Sequence, residues 1–199
     1  MPSRDCVMNK KQRLQKKLDA IWGIKRRPRY QQEDASSVVS TDESPLSNPI
    51  SAHLKNVPSE LKRIMGLTLS QLINEKWQDE EPRVDASYPI RHMFELYHTK
   101  VSNFTVEDVR FLIVQKTALE QMVPLSLYVL DDNILASGDF FDGDLLQALL
   151  SVSEDYWDKH TIQTKTLLGM LKADEVYLAM NINNKDLLCS IKDFIAKYE

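Results

Sequence analysis

The stretch LEQMVPLSLYVL at 119–130 constrains this chain most. It is apolar enough for a core element, and Pro124 sits inside it. A proline offers no N–H to a sheet ladder, so a central strand is blocked. A helix tolerates proline near its start or bends around it. The stretch therefore reads as a buried helix, covered on most sides. Elsewhere the apolar residues recur at three- and four-residue intervals, the period of a helix with one buried face. Only five glycines occur in 199 residues, which disfavours folds rich in tight turns or phosphate-cradling glycine loops. The expected fold class is all-α: a compact multi-helix bundle with a basic N-terminal helix and a Ser-rich linker before it.

Local signals place most of the helices. After Pro58 and Ser59 a short one carries Leu61, Ile64 and Met65 and stops at Gly66. Thr68 caps the next, with Gln71 closing a capping box, and Leu69, Leu72, Ile73 and Trp77 point inward. Residues 89–98 form a helix with Ile90, Phe94 and Tyr97 on one stripe. The sharpest start is FTVEDV at 104–109. Thr105 caps, Asp108 returns the bond, and Phe104 staples against Val109. Glu107 and Asp108 also suit the positive end of the helix dipole, and this helix is expected to reach Thr117. A glycine-bearing loop at 137–143 leads into a helix capped by Asp144, with Leu145, Leu146, Leu149 and Leu150 facing the core. Helices at 161–172, 174–180 and 184–198 finish the chain, the last starting at Asn183 with Asp186 in a box-like arrangement.

Charge divides the chain. Residues 1–30 hold ten Lys/Arg against two Asp/Glu, leaving 15 of the 25 basic and 27 of the 29 acidic residues for the rest. A uniformly basic nucleic-acid binder does not look like this. Residues 9–22 have helical periodicity with Leu14, Leu18, Ile21 and Trp22 on one side, and 31–53 are polar, Ser-rich and broken by proline. The organisation read from this is a basic helical head plus flexible linker at 1–55 and a helical domain at 56–199. No stretch approaches a membrane span, and no apolar run follows the basic start, so it is not read as a secretory signal. Two distant cysteines, Cys6 and Cys189, point to a reducing compartment.

Motifs for catalysis are missing. His53, His92, His98 and His160 form no HxxxH or HExxH and are expected to be ordinary surface or edge residues; clustered cysteines for zinc are absent. Cys189, between core leucines and Ile191, is expected to be a buried, inert thiol. GxGxxG, GxxxxGK[ST] and GxSxG do not occur. No catalytic residue, cofactor or metal is expected.

The acidic stretch 131–158 contains eight Asp/Glu and no Lys or Arg. SGDFFDGD at 137–144 superficially resembles a calcium loop but fails the EF-hand spacing. Two readings remain for these carboxylates: capping and solubility, or an acidic recognition surface. Phe140 and Phe141 stand amid the carboxylates, with Tyr156 and Trp157 close behind. At least one of these aromatics must be buried, but not all four. An aromatic anchor within a negative rim suits a positively charged protein partner. The basic head, KKQRLQKKLDAIWGIKRRPR, offers an alternative: a nucleic-acid-associated adaptor or regulator, with salt-sensitive direct contact to DNA or RNA.

LTLSQLINEKW (67–77), FTVEDVRFLIVQKTALEQMVPLSLYVL (104–130) and ASGDFFDGDLLQALLSVSEDYW (136–157) together resemble the immunity proteins of bacterial contact-dependent growth inhibition systems. Thr105, Asp108, Arg110, Gln115, Leu119 and Pro124 fall on the middle block of that pattern. Gly138, Asp139, Gly143, Asp144, Leu145, Leu146 and Trp157 fall on the last. Val114 stands where the pattern prefers glycine, and Phe140–Phe141 replace tyrosines. The resemblance implies a cytoplasmic antitoxin, not an enzyme, that binds and neutralises the C-terminal toxin domain delivered by a neighbouring cell, many such domains being nucleases. Charge and aromatic placement, not the resemblance, nominate Asp139, Phe140, Phe141, Asp142, Glu154 and Asp155 as toxin contacts. Gly138, Gly143, Asp144 and Trp157 are expected to be the scaffold that shapes the loop.

Overall fold

A computed structural model describes residues 49–50, 57–78, 80–83 and 85–199, all within one of the chain's two compact units, Leu46–Glu199. The basic helix expected at 9–22, most of the Ser-rich stretch, Cys6 and His53 lie outside the described residues. Ten α-helices and no strand occur among the described residues, so the all-α expectation holds there.

The chain enters at Ile50, which is fully buried and donates its N–H to the Phe104 carbonyl at 2.5 Å. Helix α1 (Ser59–Met65) follows Pro58 and buries Leu61 and Ile64. Helix α2 (Leu69–Ile73) starts with the expected capping box between Thr68 and Gln71. It ends sooner than its periodicity suggests, because Asn74 turns left-handed with φ 55°. Trp77 therefore lies beyond the helix, edge-on to Phe94 and Tyr97 at 5.6 and 5.3 Å between ring centres. Helix α3 (Tyr88–His98) carries those two rings. Its buried stripe differs from the expected one: Leu96 is in the core with Met93 and Tyr97 against it, while Ile90 is exposed. Ile90, Phe94 and Tyr97 do share a face by spacing, but α3 is rotated so that 93, 96 and 97 meet the core.

A turn of 3-10 helix (Val101–Asn103) leads to α4 (Val106–Val114). Here the start signal holds in full. Asp108 N–H donates to Thr105 Oγ1 at 3.1 Å, and Thr105 N–H donates to Asp108 Oδ2 at 2.7 Å. Phe104 and Val109 are both fully buried. The helix stops three residues short of Thr117. Lys116 and Ala118 adopt positive φ and make the corner into α5 (Leu119–Asp132).

Helix α5 contains Pro124 and buries Met122, Val123, Leu125, Leu127, Val129 and Leu130. With apolar residues on nearly every side, it is the helix the neighbours wrap. Helices α4 and α6 (Asp144–Leu150) pack on it, and α8 (Thr161–Ala173) covers another side. Helix α7 (Glu154–Lys159) joins α6 to α8, and α9 (Glu175–Asn181) leads to α10 (Lys185–Tyr198). Helix α10 lies over α6 and α8, burying Leu187, Ile191 and Phe194. Its cap is Asn184, one residue later than expected; its Oδ1 accepts from the N–H groups of Asp186 and Leu187. Cys189 contradicts the buried-thiol expectation and is exposed. It follows Leu188 but falls outside the 187/191/194 stripe that meets the core.

Candidate functional site

The loop between α5 and α6 is short of regular structure but not of hydrogen bonds. Asn133 Oδ1 accepts from Leu135 N–H at 3.0 Å, and the Leu135 carbonyl accepts from Gly143 N–H at 3.1 Å. Gly143 takes φ +93°, a conformation that L side chains rarely adopt. A Cβ there would also crowd Leu187 and Leu135, at 3.1 and 3.2 Å. That turn aims the chain into α6.

Asp144 does not act as the expected helix cap. Gly143 occupies the cap position, and Asp144 is the first helical residue, 4% exposed. Its carboxylate turns back to the loop instead. Oδ1 accepts from Gly138 N–H at 2.7 Å and Oδ2 from Phe140 N–H at 3.2 Å. The loop offers two backbone donors that no ladder satisfies, and a carboxylate at a helix N-terminus is favourably placed to take them.

Helix α4 supplies the second support. Glu107, 8% exposed, accepts from Asp139 N–H at 3.2 Å through Oε2. The same carboxylate receives both arms of Arg110: Nε to Oε2 and Nη2 to Oε1, each at 2.6 Å. This two-point geometry is the strong form of the pair. Arg110 Nε also stands 3.8 Å from Asp144 Oδ2. Its guanidinium carbon lies 4.4 Å from the centre of the Phe140 ring. Gly138 is required by space alone, since a Cβ would fall 2.3 Å from Glu107 Oε2 and 3.1 Å from Glu107 Cα.

The outer surface follows from this inner framework. Phe140 is 68% exposed, and Phe141, Asp139 and Asp142 are exposed beside it. Partial burial and the neighbouring Glu107 raise the pKa of Asp139 above its ordinary value, with Arg110 opposing. Across the same face of α4 stands the start of α3. His92 Nε2 lies 3.0 Å from Asp108 Oδ1, an ion-pair distance. The His92 ring stacks on Tyr88 at 5.1 Å and meets Phe111 edge-on at 4.8 Å. Tyr88 is itself exposed. Among the described residues no three His, Cys, Asp or Glu side chains gather as a metal site, and no helix is long and apolar enough to cross a membrane.

Part of this chain, the loop framework included, is similar to a recognised family. Residues 71–167 match the family of CDI immunity proteins. CDI denotes contact-dependent growth inhibition, so the resemblance read from the three sequence blocks holds. The match runs from α2 into α8 and contains both supports of the loop. Curated proteins and solved structures give no match.

The structure thus gathers Asp139, Phe140, Phe141 and Asp142 on one exposed loop, with Gly138, Gly143 and Asp144 buried beneath. Trp157 is buried as well, but against Phe194 of α10 at 5.3 Å. Tyr156 is buried behind it, its hydroxyl donating to the Leu119 carbonyl at 3.4 Å. Glu154 and Asp155 are exposed on α7, where Glu154 pairs with Lys197 of α10. Sequence reasoning missed His92 as a partner of Asp108, having placed it among ordinary surface histidines, and missed Tyr88 altogether. It also gave Glu107 only a dipole role. The three-residue spacing of Glu107 and Arg110 signals their pairing; the loop N–H that Glu107 also accepts leaves no sequence trace.

Proposed function

We propose that this protein is a cytoplasmic antitoxin that binds a cognate contact-dependent inhibition toxin domain one to one and occludes its active site. The toxin is a basic domain, in this reading a nuclease, since enzymes that bind phosphate backbones carry positive clefts. One observation carries the proposal. Exposed Phe140 and Phe141, flanked by Asp139 and Asp142, stand on a loop that two buried carboxylates hold from below. A preorganised loop binds without first being ordered. Its aromatics supply anchors, and its carboxylates supply steering and selectivity. Asp155, beside the Glu154–Lys197 pair, adds a further carboxylate at the start of α7. The domain at 56–199 is the toxin-binding unit, and no cofactor takes part.

The test is a titration of the full chain against the toxin domain encoded beside its gene. One-to-one binding with loss of toxin activity is expected. The double charge reversal Asp139→Lys/Asp142→Lys should slow association by about tenfold at low salt while the melting temperature holds. Unchanged association by a folded variant would refute the placement of the contact on this loop. Absence of any binding by the wild-type chain would refute the antitoxin reading.

A further inference from the structure

The exposed loop does not end the surface it belongs to. Helix α4 carries Glu107, Arg110 and Phe111, and two exposed aromatics rest against this row. Phe140 lies over Arg110 at 4.4 Å. Tyr88, from the first turn of α3, meets Phe111 edge-on at 6.5 Å and stacks on His92 at 5.1 Å. Tyr88 comes 52 residues before Phe140 in the chain, and both rings remain exposed, at 54% and 68%. Large aromatics left out of a core that has buried Trp157 and Phe104 completely call for a reason.

Carboxylates crowd the two rings. Glu107, Asp139, Asp108 and Glu95 act on Tyr88, and Glu107, Asp144 and Asp139 act on Arg110. Its guanidinium is already taken up by Glu107, with Asp144 close by. Tyr88 feels the same field: burial raises its hydroxyl pKa first, and Glu107 and Asp139 raise it further. Burial first, and the neighbouring Glu107 next, make Asp139 costly to ionise, and among the described residues no cation stands at ion-pair distance from it. An incoming cation would relieve that repulsion.

From this arrangement we infer that Tyr88 and Phe140 form one composite docking surface for a lysine- or arginine-bearing segment of the toxin, and that Arg110 is the residue that positions Phe140. The inference rests on the antitoxin reading and deepens it. The incoming cationic side chain lies over an aromatic face and pairs with Asp139. Arg110, fixed at two points by Glu107, backs the Phe140 ring on its inner side. Lysine at 110 would keep the charge but lose the planar stack and the fork.

The experiment is the same titration of the full chain with the adjacent toxin domain, using Tyr88→Ala, Tyr88→Phe, Phe140→Ala, Arg110→Lys and the pair Val176→Ala/Met180→Ala. The last pair lies on the exposed face of α9, beyond the family match, and serves as control. Melting curves accompany each variant. The expected loss for Tyr88→Ala and for Phe140→Ala is about thirtyfold in affinity, as for an aromatic anchor. Tyr88→Phe keeps wild-type affinity, because the ring and not the hydroxyl is used. Arg110→Lys weakens binding about tenfold, and this loss vanishes when Phe140 is already alanine, which a merely structural role would not show. The control pair binds normally. If wild type binds but folded Tyr88→Ala stays within about twofold of it, the composite surface is overturned while the antitoxin reading stands. If Arg110→Lys loses affinity equally with and without Phe140, the positioning role is overturned. If wild type does not bind, both the reading and the inference fall.

Discussion

Replacing Gly138 by alanine tests the inner framework with a single methyl group. Gly138 has no unusual backbone angle, so the substitution carries no conformational penalty of its own. Its consequence is steric. The new Cβ would lie 2.3 Å from Glu107 Oε2, 3.1 Å from Glu107 Cα and 3.2 Å from Asp144 Oδ2. The Cα belongs to the first turn of α4, which the capping box fixes, so the carboxylate must swing away or the loop must lift. Forcing a methyl into such packing costs about 1–3 kcal/mol. Moving Glu107 also weakens its bonds to Arg110 and Asp139, and charge-assisted bonds of this kind carry about 1.5–3 kcal/mol each. Arg110 can follow part of the way, so the two costs do not sum in full. A net destabilisation of about 3 kcal/mol is expected. In a domain of this size that lowers the melting temperature by about 6–12 °C. Differential scanning calorimetry of both proteins at matched pH and concentration measures it. The same change in a Glu107→Ala background should cost less than half as much, because the blocking atom is gone. A shift under about 2 °C in the native background would mean that the loop is not pinned on Glu107.

Two further outcomes follow from other parts of the structure. The Asp108 carboxylate raises the pKa of His92 above 6.5, with Glu95 adding and burial opposing. The protonated form therefore favours the folded state: its contribution is complete below the unfolded value and is lost as pH rises through the folded one. Melting temperature followed from about pH 6 to about pH 9 should decline across that window, and His92→Gln should remove that part of the slope; an identical slope in the variant would refute the pairing. Cys189 is exposed, so in a Cys6→Ser background one thiol should react with an aromatic disulfide reagent in the folded protein as fast as in urea. Protection in the native state would contradict its position.

The helices and their caps were legible because their causes are local. Thr105 and Asp108 are three residues apart, and a capping box needs nothing more. The buried reading of 119–130 needed only its composition and Pro124. Boundaries failed where a left-handed residue ended a helix early, as at Asn74, since the periodicity beyond it continued. The stripe of α3 failed because spacing fixes which residues share a face, not which face meets the core.

The sequence by itself determined that this protein is helical, that the chain beyond residue 30 is acidic, and that a loop of aromatics and carboxylates interrupts its core helices. These depend on spacing and composition, which act between near neighbours. Only the tertiary structure decided what each carboxylate does. Asp144 looks like a helix cap and instead holds two loop N–H groups. Glu107 looks like a dipole partner and instead joins Arg110 to Asp139 across 32 residues of chain. Cys189 looks buried and is exposed. The physical reason is common to all three. A backbone donor or an apolar face is satisfied by whatever the fold brings within about 3 Å, and contacts between distant segments leave no periodicity to read.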